Sequence, residues 1–129
     1  MQEIVGRKIN GILVNEDQSV LVFDTDAGDI IYKTAEDSVS ETWFADLTGV
    51  SSLLGATVRE AVSVDLEAID DGRTRQEEDL FYGVKITTDK GYASLVYRNS
   101  SNGCYDGNVH LSQRPRPEFL TTIEDDWSA

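Results

Sequence analysis

The segment 80–99 carries the pattern that most restricts how this chain can fold. Apolar residues such as Val84 and Ile86 alternate with polar ones, and the alternation resumes after Asp89-Lys90-Gly91. A period of two places successive side chains on opposite faces of a β-strand. Two such runs separated by a short glycine-containing turn are typical of a β-hairpin. The segment therefore predicts an antiparallel hairpin with one buried face.

Strand patterns also fill the start of the chain, and a helical pattern follows them. Apolar runs within 7–34 predict a three-stranded meander with a turn around Gly28, where a positive φ is easily adopted. Within 40–54, apolar residues recur at spacings of three and four, which predicts one or two short helical segments. We expect Trp43 to be buried there and Gly55 to end the helix.

The remaining segments continue the β-rich pattern. Val62, Val64 and Leu66 alternate with polar residues and predict a half-buried strand, and 108–112 predicts one more short strand. The acidic run 67–79 contains a glycine and predicts a long exposed loop. Strands, a helical insert and further strands together indicate an α+β fold. We predict a single β-rich domain with mostly antiparallel pairing.

The end of the chain differs from the rest in composition. The predicted domain spans 1–113, and 114–129 is a C-terminal extension that contains both prolines. Four apolar residues of this extension suggest a short helix that packs on the domain or on another subunit. These residues are Phe119, Leu120, Ile123 and Trp127.

The charge of the chain narrows the classes of partner. The 129 residues carry a formal net charge of −13, and 40% of them are hydrophobic, which is a globular composition. Clustered Lys and Arg residues are needed for unspecific binding to nucleic acids or anionic membranes. We therefore expect neither a direct nucleic-acid partner nor a membrane partner. The start of the chain has no apolar signal-peptide region, which favours a cytoplasmic location, in a host cell if the chain is phage-encoded.

Few residues offer catalytic or metal-binding chemistry. Cys104 and His110 are single residues of their kinds, and one cysteine excludes an intrachain disulfide. A Cys–His nucleophile pair needs hydrogen-bond contact that no sequence rule provides here, so surface positions are favoured for both. Asp24 and Asp26 resemble the start of a calcium loop, but the flanks predict strands instead of helices. We expect no metal, no cofactor and no catalytic residues.

The stretch YRNSSNGCYDG, at 97–107, is rich in groups that bind small ligands. Arg98 offers a planar set of donors for a phosphate or carboxylate. Glycines allow backbone amides to approach a ligand, and aromatic rings can stack on a base. Alternatively, Asn and Gly only form a tight turn, and Arg98 pairs with a nearby acid. The predicted ligand-binding residues are Trp43, Tyr97, Arg98, Asn99, Ser100, Ser101, Asn102, Gly103 and Tyr105.

The stretch GVKITTDKGYASLVYRNSSNGCYDG resembles the C-terminal signature of a small uncharacterised domain family found in phage genomes and in bacteria. Members of that family typically have ITT, a basic residue and Gly, followed by YRN and SNGYYGG. The resemblance covers most of 3–111. Ser38-Val39-Ser40 stands where the family often has Cys-Cys-Ser, and Cys104 and Asp106 replace a Tyr and a Gly. The resemblance implies a phage-type accessory protein, and Cys104 is not expected to be a family nucleophile.

Two binding functions from different classes follow from these features. In the first, the protein counters host defence by sequestering a small anionic, nucleotide-derived ligand through a loop at 98–103, at the interface of a homo-oligomer. In the second, acidic residues within 65–79 and 124–126 mimic nucleic-acid phosphates and occupy a basic groove of a host defence protein. An enzyme that degrades a nucleotide signal is a third alternative, for which the sequence offers no catalytic set.

Overall fold

The fold consists of two antiparallel β-sheets with short helical turns. A computed structural model describes the backbone of residues 1–34, 40–65, 78–101 and 109–128. Helical structure within these ranges is a 3-10 turn at Gln2–Ile4 and a single α-helical turn, α1, at Val50–Leu53. The strands are Ile9–Asn15 (β1), Val20–Thr25 (β2), Gly28–Thr34 (β3), Ser40–Thr48 (β4), Val58–Asp65 (β5), Glu78–Thr88 (β6), Gly91–Ser101 (β7), Val109–Leu111 (β8), Leu120–Thr122 (β9) and Trp127–Ser128 (β10).

The first sheet has the strand order β8-β3-β2-β1-β9. Its centre is the predicted three-stranded meander, which is confirmed by the antiparallel pairing of β2 with both β1 and β3. Gly28 has a φ of 106° directly after the turn between β2 and β3, where a side chain would be strained. The hydroxyl of Thr25 donates to the Gly28 carbonyl at 2.7 Å. Local turn chemistry therefore fixes the register of this hairpin.

The second sheet has the strand order β10-β4-β7-β6-β5. The predicted hairpin is confirmed: β6 pairs with β7 in continuous register from Thr88 opposite Gly91 to Glu78 opposite Ser101. The predominance of antiparallel pairing is likewise confirmed, whereas the helical share of the expected α+β fold is limited to short turns.

The prediction of short helical segments within 40–54 is confirmed only in part, by the single turn α1. Ser40–Thr48 forms the strand β4, which pairs along β7, and helical structure begins only at Val50. Trp43 is half-buried instead of buried. Aromatic and threonine residues favour strands, and the long neighbouring strand supplies backbone partners that a helix would leave unused. The expected end of the helix is confirmed, since Gly55 follows α1 with a φ of 75°.

One hydrophobic core lies between the two sheets. Ile12 and Phe23 contribute to it from the first sheet, and Phe44 and Leu95 from the second sheet, all fully buried. A β-bulge between Phe44 and Asp46 breaks the alternation of β4. Because of this bulge, Phe44 and Ala45 are both buried, although strand neighbours normally face opposite sides.

The end of the chain forms strands where a short helix was expected. β9 pairs with β1 and β10 pairs with β4, so the extension is joined to both sheets. Ile123 is buried in the common core, and its N–H donates to the Ile12 carbonyl at 2.7 Å. Free sheet edges offer backbone partners to β9 and β10, which outweighs the weak helical spacing of the apolar residues.

The chain between β8 and β9, residues 112–119, is called the covering segment here. It connects opposite edges of the first sheet, since β8 borders β3 and β9 borders β1. The Ser112 N–H donates to the Ile31 carbonyl, and Arg116 donates two hydrogen bonds to Asp29, at 2.9 and 2.7 Å. Asp29 alternates with the core-facing Ile30, so the covering segment crosses the outer face of the first sheet.

The residues of β5 that face the core differ from those predicted. Val62 and Val64 were expected on a buried face, but they are 44% and 42% exposed, and Ala61 is buried instead. A register shift between Val58 and Glu60 reverses which positions face the core. Leu66 lies outside the described residues. As a result, the outer face of the second sheet carries exposed apolar side chains.

Candidate functional site

The predicted ligand-binding stretch begins as a strand and not as a loop. Tyr97 to Ser101 belong to β7 and pair with both β4 and β6. The expectation of a loop from Arg98 onward is therefore wrong for this part. Asn102, Gly103 and Tyr105 lie outside the described residues, as does Cys104. Their part in the predicted site stays a prediction.

Strand geometry divides the predicted site residues into two sets. Successive residues of β7 alternate between the two faces of the sheet. Tyr97, Asn99 and Ser101 occupy one set of alternating positions, and Arg98 and Ser100 occupy the other. Tyr97 and Arg98 therefore lie on opposite faces of the sheet.

Tyr97 belongs to the edge of the core. Its ring stacks on Tyr82 at a centroid distance of 5.1 Å and an interplanar angle of 12°. It also meets Phe44 edge-on, with centroids 6.5 Å apart. Such aromatic pairs contribute about 1 kcal/mol beyond simple burial. This arrangement gives Tyr97 a packing role on the inner side of the second sheet.

Trp43 and Arg98 come together on the outer face of the second sheet. They are directly opposite one another on β4 and β7, so their side chains share a face. The Arg98 guanidinium carbon lies 5.4 Å from the centroid of the Trp43 ring, within cation–π range. Both side chains are half-buried. Two of the predicted ligand-binding residues thus lie side by side in the structure, although they are 55 positions apart in the sequence.

The same outer face carries a second cation–aromatic pair that sequence reasoning missed. The Lys85 ammonium lies 4.8 Å from the centroid of the Tyr92 ring, and Tyr92 is 64% exposed. Lys85 is one of the polar residues that alternate with Val84 and Ile86 in the hairpin, and no role was predicted for Tyr92. The available signal was an aromatic residue at an outward-facing strand position, where it is not needed for the core.

Among the described residues, the other candidates for chemistry are His110 and the calcium-like motif at Asp24 and Asp26. His110 is exposed on β8, opposite Lys33. Within the described ranges, no group of three or more His, Cys, Asp or Glu residues could hold a metal ion. Asp24 instead lies 3.6 Å from Arg116 of the covering segment, so a carboxylate of the calcium-like motif takes part in an ion pair. No helix within the described residues is long and apolar enough to cross a membrane.

Comparison with known proteins identifies no relative of this chain. No family model, curated protein sequence or solved structure matches the chain. The resemblance to the phage and bacterial domain family therefore stays a prediction based on the residues quoted above.

Proposed function

We propose that this protein works stoichiometrically by binding, and that it sequesters a small anionic, nucleotide-derived ligand at the Trp43–Arg98 pair. The observation that carries the proposal is the 5.4 Å approach of the guanidinium to the indole ring on an outer sheet face. An indole offers a flat surface on which a base can stack. A guanidinium offers paired donors that match the oxygens of a phosphate.

One further hydroxyl-bearing residue belongs to the proposed site. Ser100 occupies the same alternating set of β7 positions as Arg98. The proposed site therefore consists of Trp43, Arg98 and Ser100, with Asn102, Gly103 and Tyr105 as further predicted members.

The biological setting remains part of the proposal. A phage-type accessory protein that removes a nucleotide signal from the host cytoplasm would oppose host defence. Such a protein needs no catalytic residues, because binding alone lowers the concentration of the free signal. A homo-oligomer, in which subunits share the ligand, is the arrangement we propose with it.

Native mass spectrometry of protein purified from cells, before and after incubation with a host lysate, tests this function. We expect a mass increment of a few hundred daltons per subunit. Arg98→Lys keeps the charge but loses the paired donors, and we expect it to lower the occupancy about tenfold. Arg114→Lys, at an exposed position of the covering segment, is the matched control. Equal occupancy in both variants, or no increment at all, would contradict the proposal.

The same experiment separates the second candidate function, the acidic mimic of nucleic acid. The observation that favours it is the net charge of −13, to which the exposed Glu124 and Asp125 contribute. Most of the other proposed acidic stretch, 65–79, lies outside the described residues. A complex with a host protein that dissociates in high salt, with no small-molecule increment, would favour the mimic. A bound ligand whose mass changes with time would favour the enzyme.

A further inference from the structure

The outer face of the second sheet contains an open groove of about 380 Å³ that is separate from the Trp43–Arg98 pair. Ser94 borders the groove and lies four residues before Arg98 on β7, roughly 13 Å along the strand. Gly83 lies at the centre of this face, between Val96 of β7 and Val64 of β5. The principal lining residues are Thr48, Val64, Gly83, Lys85, Tyr92 and Ser94.

The walls of the groove combine apolar and hydroxyl-bearing side chains. Val64 and Tyr92 are 42% and 64% exposed, so both offer apolar surface to a ligand. Thr48 and Ser94 pair across β4 and β7, which places two hydroxyls side by side on this face. Gly83 also lines the groove, and it adds no side chain to the wall.

The charge of the groove is opposite to that of the whole chain. Lys85 is the only charged residue among the described residues that line it, and its ammonium lies 4.8 Å from the centroid of the Tyr92 ring. The complete chain has a formal net charge of −13. A local cation without a carboxylate in the groove wall favours an anionic group on the ligand.

We propose that this groove binds a small molecule made of a planar ring with one anionic substituent. The ring lies over Gly83 against Val64 and Tyr92, and the anionic group meets the Lys85 ammonium and the hydroxyls of Thr48 and Ser94. The volume lies within the roughly 300–1,000 Å³ typical of small-molecule sites. This site does not depend on the proposed function, because it shares no residue with the Trp43–Arg98 pair.

Titration with 2-naphthalenesulfonate, followed by backbone amide shifts in NMR spectra, tests the proposal. We expect saturable binding with a Kd on the order of 1 mM or tighter, and shifts centred on Gly83, Lys85 and Ser94. The neutral 2-naphthalenemethanol, which has the same ring system, is expected to bind roughly fivefold more weakly. High salt is expected to reduce this difference.

Two variants make the test specific. Lys85→Met keeps an apolar stem and removes the charge, and we expect it to raise the Kd for the sulfonate roughly fivefold without changing the Kd for the alcohol. Lys33→Met, on the other sheet, is the matched control. Gly83→Ala adds a methyl group to the floor and is expected to weaken both probes, and thermal melting checks that each variant is folded.

Three results would overturn the proposal. The first is no saturable binding of the sulfonate, and the second is an equal effect of Lys85→Met and Lys33→Met. The third is concentration-dependent self-association that the probe reverses, which would assign the face to a second copy of the chain. None of these results contradicts the proposed site at the Trp43–Arg98 pair. The two sites are tested separately, since Arg98→Lys is expected to leave the naphthalenesulfonate Kd unchanged.

Discussion

Apolar residues on the outer faces of the two sheets differ in their exposure. Val22 and Ile31 lie on the outer face of the first sheet, with exposures of 0% and 6%. Val62 and Val64 lie on the outer face of the second sheet, with exposures of 44% and 42%. The covering segment 112–119 crosses the first of these faces. The chain then continues to β10 at the edge of the second sheet. Among the described residues, no segment crosses the outer face of that sheet.

This difference separates apolar surface that stabilises the fold from apolar surface that is available for binding. A valine buried under the covering segment contributes the free energy of its removal from water. An exposed valine beside a tyrosine contributes little to folding and marks a surface for recognition. Both proposed binding sites lie on the outer face of the second sheet, where apolar side chains are exposed.

The largest effect is expected from detaching the covering segment. Ile123→Ala removes the buried side chain that anchors the chain in the core directly after β9, the strand that follows the covering segment. We expect the free energy of unfolding to fall by about 3 kcal/mol. Phe119→Ala is the control, because Phe119 is 88% exposed and its loss should change stability by less than about 0.5 kcal/mol. Urea denaturation measures both, and equal losses would mean that the segment is not anchored at Ile123.

A smaller effect is expected from the same substitution on the two outer faces. Val22→Thr keeps the shape but places a hydroxyl under the covering segment, which should cost about 1.5 kcal/mol. Val62→Thr places the hydroxyl in solvent and should cost less than about 0.5 kcal/mol. Both changes are compared by thermal and urea unfolding. A cost for Val62→Thr as large as that for Val22→Thr would show that the second face is covered in solution.

The smallest effect concerns the contact that links the two sheets at the start of the chain. Gln2 donates to the Ala61 carbonyl of β5, and the Tyr32 hydroxyl of β3 donates to the Glu3 carboxylate at 2.7 Å. This hydrogen bond lowers the pKa of Glu3 below 4.5, and burial and the same hydrogen bond raise the pKa of Tyr32 above 10.0. Tyr32→Phe should cost about 1 kcal/mol at pH 7.

The pH dependence of that cost follows from the two shifts. A lowered pKa of Glu3 stabilises the fold above pH 4.5, and this stabilisation is lost as the pH falls through the lowered value. A raised pKa of Tyr32 stabilises the fold below pH 10.0 and is lost as the pH rises further. The difference in unfolding free energy between the native protein and Tyr32→Phe should therefore shrink below pH 4.5. A difference that stays constant down to pH 2 would show that Glu3 is not the acceptor.

Local patterns predicted the strands whose registers depend on nearby residues. The meander of 7–34 and the hairpin of 80–99 both follow from alternation around short turns, and Gly28 has the positive φ expected of it. The candidate site was predicted only in part. Trp43 and Arg98 were both named, but their contact depends on the pairing of β4 with β7, which no local pattern encodes.

The wrong predictions share one physical cause. Spacings of three and four within 40–54 indicated helical structure, yet pairing with β7 made 40–48 a strand. A bulge after Val58 turned Val62 and Val64 outward, although their alternation alone was correctly identified as a strand pattern. Register and bulges are settled between distant strands, so a one-residue shift changes every face without changing the local sequence.

The sequence by itself determined the antiparallel β character, the main turns and the absence of a broadly basic surface. These properties depend on alternation, glycine conformation and total charge, which are local or additive quantities. The tertiary structure alone decided which apolar face is covered, because the path of 112–119 is set by contacts with the distant residues Asp29 and Ile31. It also decided that Arg98 lies against Trp43, and that Lys85 and Tyr92 border a groove, because these neighbours arise from pairing between strands.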